Sequence, residues 1–167
     1  MLQPVVRRTW APRGQTPIQR QWERHDRLSV ISAVTLAPRR RRLGLYWHIQ
    51  AHNIRGPDVA AFLEHLRRSL RRKLVLILDR WNVHRSRAVR HCLDRHGEAI
   101  RVEWLPAYAP DLNPAEQVWN HAKYSDLANF APADASELEF YVDFSFQGQE
   151  VQPSLLRSFF QKAGLKL

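Results

Sequence analysis

Five consecutive aliphatic residues, Leu74–Leu78, run without a polar interruption into Asp79. A stretch that short and that dry predicts a strand buried on both faces, as in a sheet covered by helices on each side. The flanking sequence agrees. Residues 28–36 (LSVISAVTL) and 43–49 (LGLYWHI) are rich in β-branched and aliphatic residues and predict two strands. The APRRRR between them makes the pair a hairpin with Arg39, Arg40, Arg41 and Arg42 at its tip. Gly56-Pro57-Asp58 opens a helix whose apolar positions Val59, Phe62, Leu63, Leu66 and Leu70 keep helical spacing. A second helix begins at Ser86, carries Val89, Cys92, Leu93 and His96, and stops at Gly97. Residues 100–105 (IRVEWL) alternate as a strand does, Pro106 and Pro110 frame a loop, and a long helix follows Asn113. The first 27 residues are punctuated by Pro4, Pro12 and Pro17 and predict loop; residues 136–167 predict a weakly helical stretch and then a helix over 155–163. Trp104, Trp119 and Phe130 are expected in the core. The order β, β, α, β, α, β, α is an α/β pattern that opens on a hairpin.

The length of 167 residues fits one domain over 1–167, and 44% apolar residues with six Trp supply a core, which argues against disorder. Cys92 is the sole cysteine, so neither an intramolecular disulfide nor a CxxC metal site can form. No apolar run approaches a membrane span or a secretory signal, and the expectation is a reducing cytoplasm. The net charge of +10 attracts polyanions, nucleic acid being the commonest; a generically basic surface is the competing reading.

Two clusters carry candidate chemistry. Asp79 ends the driest predicted strand, where α/β proteins place their ligand sites, although an Asp there can equally cap a turn. In PDLNPAE (110–116), Asn113 suits an N-cap and Pro114 the first helical position, which puts Glu116 third. Glu116 then either reaches back as a capping-box residue or projects toward the end of the Asp79 strand. On a helix, Glu116, Asn120 and Lys123 share a stripe while Val118 and Ala122 face the core. Two carboxylates brought together repel unless a proton or cation sits between them, and hard oxygen donors suit Mg²⁺ or Mn²⁺. Acid pair, divalent metal and basic surface together describe phosphoryl transfer on nucleic acid.

RTWAPRGQTP (8–17), LILDRWNVHRS (76–86) and LPAYAPDLNPAEQVWNHAKY (105–124) closely resemble the catalytic domain of bacterial insertion-sequence transposases. These form the insertion-sequence-630 and mariner superfamily of DDE endonucleases. The 36 residues between Asp79 and Glu116 are close to the family's spacing between its second and third acids. The resemblance implies an RNase H-like mixed sheet flanked by helices, with Asp79 and Glu116 as two members of a metal-binding triad. It also implies a two-metal Mg²⁺ or Mn²⁺ site, transposon-end and target DNA as partners, and residence with the bacterial nucleoid. The family's first Asp ends a strand just before the segment matching Gln3-Pro4. The expectation is therefore a domain incomplete at its N-terminus, without the family's first, central strand or its helix-turn-helix region, and with little activity alone. Glu23 and Asp26 stand at the wrong place in the pattern to replace that acid. A sheet without its central strand has two unpaired inner edges. Two other readings stand beside this one: a non-enzymatic nucleic-acid-binding remnant, and one half of a split transposase whose missing strand comes from an upstream fragment. A homo-oligomer is a further expected state.

His84 matches a histidine of the family's second block and either hydrogen-bonds near metal or phosphate or is structural. The Arg39–Arg42 run is a solvated turn or a contact to the DNA backbone, and Tyr108 and Lys123 are candidate DNA contacts. Cys92 and His96, four residues apart on one helix, supply two zinc-type ligands; two do not close a tetrahedral site, and Cys92 is expected as a small core residue. No Gly-rich phosphate loop or GxSxG elbow is present, so nucleotide and serine hydrolysis lack support.

Overall fold

Alternation along the hairpin decides the layers. In the computed structural model, which describes residues 7–15, 18, 28–39 and 42–167, β1 (Ser29–Leu36) and β2 (Leu43–Gln50) pair antiparallel, with Val30 opposite Ile49, Val34 opposite Leu45 and Ala33 opposite Tyr46. Directly opposed residues share a face. Val30, Val34, Leu43, Leu45, Trp47 and Ile49 pack into one core, and Ile31, Ala33 and Tyr46 into another on the opposite side. The hairpin is thus covered on both faces.

The second of those cores is built by α1 (Gly56–Leu70) and α2 (Arg87–Arg95). Val59, Phe62, Leu63 and Leu66 of α1 are buried as their spacing predicts; Leu70 is half-buried. The start of α1 is fixed by Asp58, whose Oδ2 accepts the Arg55 backbone N–H at 2.7 Å. That bond holds the Asp58 carboxyl below its ordinary range. The first core, on the other face, comes from α3 (Pro114–His121), α4 (Ala135–Glu150) and α5 (Pro153–Lys162), with Val118, Val142, Phe146, Leu156 and Phe159 essentially inaccessible. Phe146 sits between Trp47 and Trp119, with ring centroids 5.7 and 5.2 Å away. α4 replaces the weakly helical stretch expected over this region with a 16-residue helix.

β3 (Leu74–Leu78) and β4 (Ile100–Trp104) pair in parallel, Leu74 opposite Ile100 and Leu78 opposite Trp104. Among the described residues this pair and the hairpin form two separate two-stranded sheets. α1 lies across both, since Leu76 of β3 packs into the same core as Ile31 and Ala33 of β1. The expectation that β3 is buried on both faces fails. Leu78 is buried, but Val75 is 66% and Ile77 59% exposed. The helices α3 to α5 cover the hairpin's outer face, and nothing among the described residues covers the corresponding face of β3. Trp104, expected in the core, lies on this open pair and is 41% exposed; Trp119 and Phe130 do pack in the first core. No helix among the described residues is long and apolar enough to cross a membrane.

Candidate active site

Asp79 follows the last residue of β3, and the chain turns there because its own side chain closes the turn. Asp79 Oδ1 accepts the Trp81 backbone N–H at 3.0 Å. A single 3₁₀ turn over Asn82–Arg85 then brings His84 back, its Nδ1 2.9 Å from the same oxygen. Nδ1 also reaches the Asp79 backbone carbonyl at 3.4 Å; both oxygens only accept, so Nδ1 carries the proton there. Trp81 lies edge-on to the His84 ring, 5.4 Å between centroids, which fixes the imidazole plane. Arg80 is drawn aside by the Leu105 carbonyl, which its Nε reaches at 3.0 Å. The capping role and the site role of Asp79 are therefore compatible: Oδ1 accepts the Trp81 N–H and lies beside His84, and Oδ2 takes no hydrogen bond among the described residues.

Glu116 stands in the first turn of α3. Asn113 caps that helix, its Oδ1 accepting the Ala115 N–H at 3.1 Å, with Pro114 at the first position. A capping box would need Glu116 to accept the Asn113 N–H, but that donor is already taken by the Pro110 carbonyl at 2.9 Å. The Glu116 carboxyl makes no hydrogen bond among the described residues. Burial, and after it the charge of Asp79, push this carboxyl above the ordinary glutamate range. The second cause couples the two acids electrostatically although they stand 37 residues apart in the chain. A half-buried acid with raised proton affinity, in the field of a second carboxylate, is a donor set that suits a small hard cation.

The helix carrying Glu116 is shorter than expected. α3 gives way at Ala122 to a π turn over Ala122–Asp126, closed by the Leu127 N–H on the Ala122 carbonyl at 2.9 Å. Val118 and Ala122 are buried as their register predicts, and Asn120 is exposed. The wider turn rotates the side chains beyond it, and Lys123 lies with Nζ 5.5 Å from the centre of the Tyr124 ring. A relay that starts from the buried Gln149 and Ser145 holds the turn in place. Gln149 Nε2 donates to Ser145 Oγ at 3.2 Å, Ser145 Oγ donates to Asp126 Oδ2 at 2.6 Å, and His121 Nε2 stands 3.3 Å from Asp126 Oδ1.

Of the remaining candidates, Arg39 and Arg42 are exposed at the hairpin tip, while Arg40 and Arg41 lie outside the described residues, as do Glu23, Asp26 and Gln3-Pro4. Tyr108 is fully exposed and held in the left-handed region at φ 56°. Two features escaped the sequence reading. The Arg7 guanidinium sits 5.9 Å from the Tyr124 ring centre, while its backbone N–H donates to Asn129 Oδ1 at 2.6 Å; no spacing pattern links positions 7 and 124. The hydrogen bond from His84 to Asp79 could have been suspected only from their separation of five residues.

The profile of the DDE superfamily endonuclease family matches residues 1–139. The chain belongs to that family. Its fold is the RNase H-like mixed α/β fold shared with solved structures of Mos1 mariner transposase. The strand transfer complex of Mos1 is 17% identical, aligns over 99% of this chain and 52% of its own, and has a TM-score of 0.55. The Mos1 paired end complex with Mg is also 17% identical, over 98% of this chain and 50% of that one, at a TM-score of 0.61. The isolated catalytic domain of Mos1 is 15% identical over 84% and 83%, at 0.50. This DDE endonuclease chain therefore spans about half the length of the longer structures it matches. No curated protein is significantly similar to it.

Proposed function

We propose that this chain is the catalytic domain of a DDE transposase, acting on DNA phosphodiesters, and that Asp79 and Glu116 are the second and third acids of its triad. The observation that carries the reading is the position of these two acids in a DDE-family chain, one following the end of β3 and one in the first turn of α3. Mg²⁺ or Mn²⁺ held by Asp79 and Glu116 would polarise the scissile phosphate and acidify water. That chain residues of this kind serve such ions is supported by the Mn and Mg complexes of the Mos1 structures. His84 keeps the Asp79 carboxylate oriented with Oδ2 toward the site. Glu116, whose carboxyl burial and the Asp79 charge hold above the ordinary range, would be stabilised in its ionised form by the cation. Arg39, Arg40, Arg41, Arg42, Tyr108 and Lys123 contact the DNA, the charged ones through its phosphates. Water attacks a phosphodiester at a transposon end, the released 3′-hydroxyl then attacks target DNA, and no covalent enzyme intermediate is needed. Such a domain works where chromosomal DNA is, in the bacterial cytoplasm.

The first acid of the triad would come from a strand seated between β1 and β3, supplied by an upstream transposase segment. The separation of the two sheets beneath one helix supports a further strand there. Without it, the described domain performs little or no strand transfer.

Manganese titration and cleavage of transposon-end DNA test the proposal together. Mn²⁺ binding should weaken in Asp79→Asn and in Glu116→Gln, and co-expression with a segment bearing a strand that ends in Asp should restore Mn²⁺-dependent cleavage. DNA binding that falls steeply with salt, with Mn²⁺ binding indifferent to both acids, would instead identify a non-enzymatic polyanion binder. Cleavage by the chain alone, abolished in Asp79→Asn, would refute the need for a further strand.

A further inference from the structure

Between α1 and α2, the structure brings together three side chains that no part of the transposase reading uses. Cys92 of α2 and His96, the residue that caps its C-terminal end, are four residues apart, and Glu64 of α1 meets them. A Glu64 carboxylate oxygen, the Cys92 sulfur and a His96 ring nitrogen all lie within 4.8 Å of one another. We propose that Glu64, Cys92 and His96 bind a divalent transition-metal ion of the zinc class between α1 and α2, leaving one coordination position to water.

The donor set determines the class of ion. Thiolate, imidazole and carboxylate together suit zinc and its borderline-soft neighbours, whereas Mg²⁺ and Mn²⁺ prefer oxygen alone. Bonds of roughly 2.0–2.3 Å at tetrahedral angles place donors about 3.3–3.8 Å apart, so modest side-chain rotation converts the present cluster into a site. Charge also balances: one thiolate and one carboxylate neutralise a divalent ion, with His96 neutral. Cys92 is buried, while Glu64 and His96 are partly exposed, which gives the ion an entrance from solvent.

The contacts to be exchanged are all visible. His96 Nε2 is 2.6 Å from Glu64 Oε1, and the Cys92 thiol points at the Ala60 carbonyl at 3.7 Å. Arg67 approaches Glu64 Oε2 at 3.5 Å and Arg95 approaches Oε1 at 3.6 Å. On binding, the sulfur–hydrogen bond breaks, its proton passes to solvent and a sulfur–metal bond forms; His96 offers the lone pair of one nitrogen and keeps hydrogen on the other. Nothing is oxidised or reduced. Burial, reinforced by the Glu64 charge, holds the Cys92 thiol above its ordinary range, so occupancy should rise with pH. Arg67 stays on Glu64 Oε2, while Arg95 leaves Oε1 for that outer oxygen or for solvent.

Cobalt(II) is the probe, added to the reduced chain. Because Cys92 is the sole cysteine, a thiolate-to-cobalt charge-transfer band has one possible source. The band should saturate at one equivalent, be bleached by Zn²⁺ but not by excess Mg²⁺, and persist in Asp79→Asn. It should vanish in Cys92→Ser. In His96→Gln and Glu64→Gln, at partly exposed positions that test the site should Cys92→Ser fail to fold, affinity should fall at least about tenfold, as losing even an outer partner of a metal costs. Absence of the band in folded protein at excess cobalt would overturn the proposal. So would affinity unchanged in both His96→Gln and Glu64→Gln.

Discussion

Replacing Gly56 with alanine should destabilise the chain although alanine is the better helix former. Gly56 is the first residue of α1, and its backbone sits against Ser86, the N-cap of α2. A Cβ built on Gly56 lies 2.8 Å from Ser86 Cβ and closer still to Ser86 Oγ. Carbon atoms rest about 3.5–4.0 Å apart, so the two helix starts must separate. Turning Ser86 Oγ away relieves only part of the overlap, and it breaks the bond that Oγ accepts from the Val89 N–H, a cap worth typically about 1 kcal/mol. The Cβ–Cβ overlap then remains, and inserting a methyl into a packed contact costs about 1–3 kcal/mol. Gly→Ala returns at most about 1 kcal/mol, and less at a helix terminus than inside one. The net expectation is a loss of about 1–3 kcal/mol in urea unfolding followed by tryptophan fluorescence. A double-mutant cycle isolates the cause. Ser86→Gly removes both offending atoms, so Gly56→Ala combined with Ser86→Gly should recover at least about 1 kcal/mol relative to the sum of the single changes. Additivity within about 0.5 kcal/mol, or a Gly56→Ala protein as stable as the parent, would refute the reasoning. Ser86 lies two residues beyond His84, so the same separation should disturb the Asp79 turn and weaken Mn²⁺ binding.

The acid pair and the packing around Phe146 yield two further outcomes. Glu116 holds its proton to higher pH in the folded chain than in the unfolded one, so stability should fall as pH rises from the ordinary glutamate range through its raised folded value. That slope should disappear in Glu116→Gln, and added Mn²⁺ should restore stability at neutral pH in the parent only; denaturant titrations across pH decide both. Phe146→Ala empties an inaccessible site between Trp47 and Trp119 and should cost about 3–5 kcal/mol in the same unfolding assay, with loss of near-ultraviolet circular dichroism from the two tryptophans.

The elements themselves were written locally. The spacing of Val59, Phe62, Leu63 and Leu66, the aliphatic strands and the caps at Ser86 and Asn113 depend on neighbours a few residues away, and each appears where its pattern places it. Asp79 and Glu116 were legible as candidates for the same reason: one ends a dry strand and the other stands just after an N-cap. What they do to each other was not legible, because the raised proton affinity of Glu116 arises from burial and from a charge 37 residues away. Nor could sequence say that the Asn113 N–H was already occupied, which decided between a capping box and a free carboxyl. The open face of β3 escaped because an apolar run records only what a strand is suited to bury. Whether Val75 and Ile77 are covered depends on a layer assembled from distant parts of the chain. The π turn after His121 has the same origin: Asp126 answers to Ser145 on another helix, so its conformation is set across space. Local pattern thus chose the helices, strands and candidate acids of this protein. Tertiary packing decided which faces met, which donors were spent, and that Glu64 would stand beside Cys92 and His96.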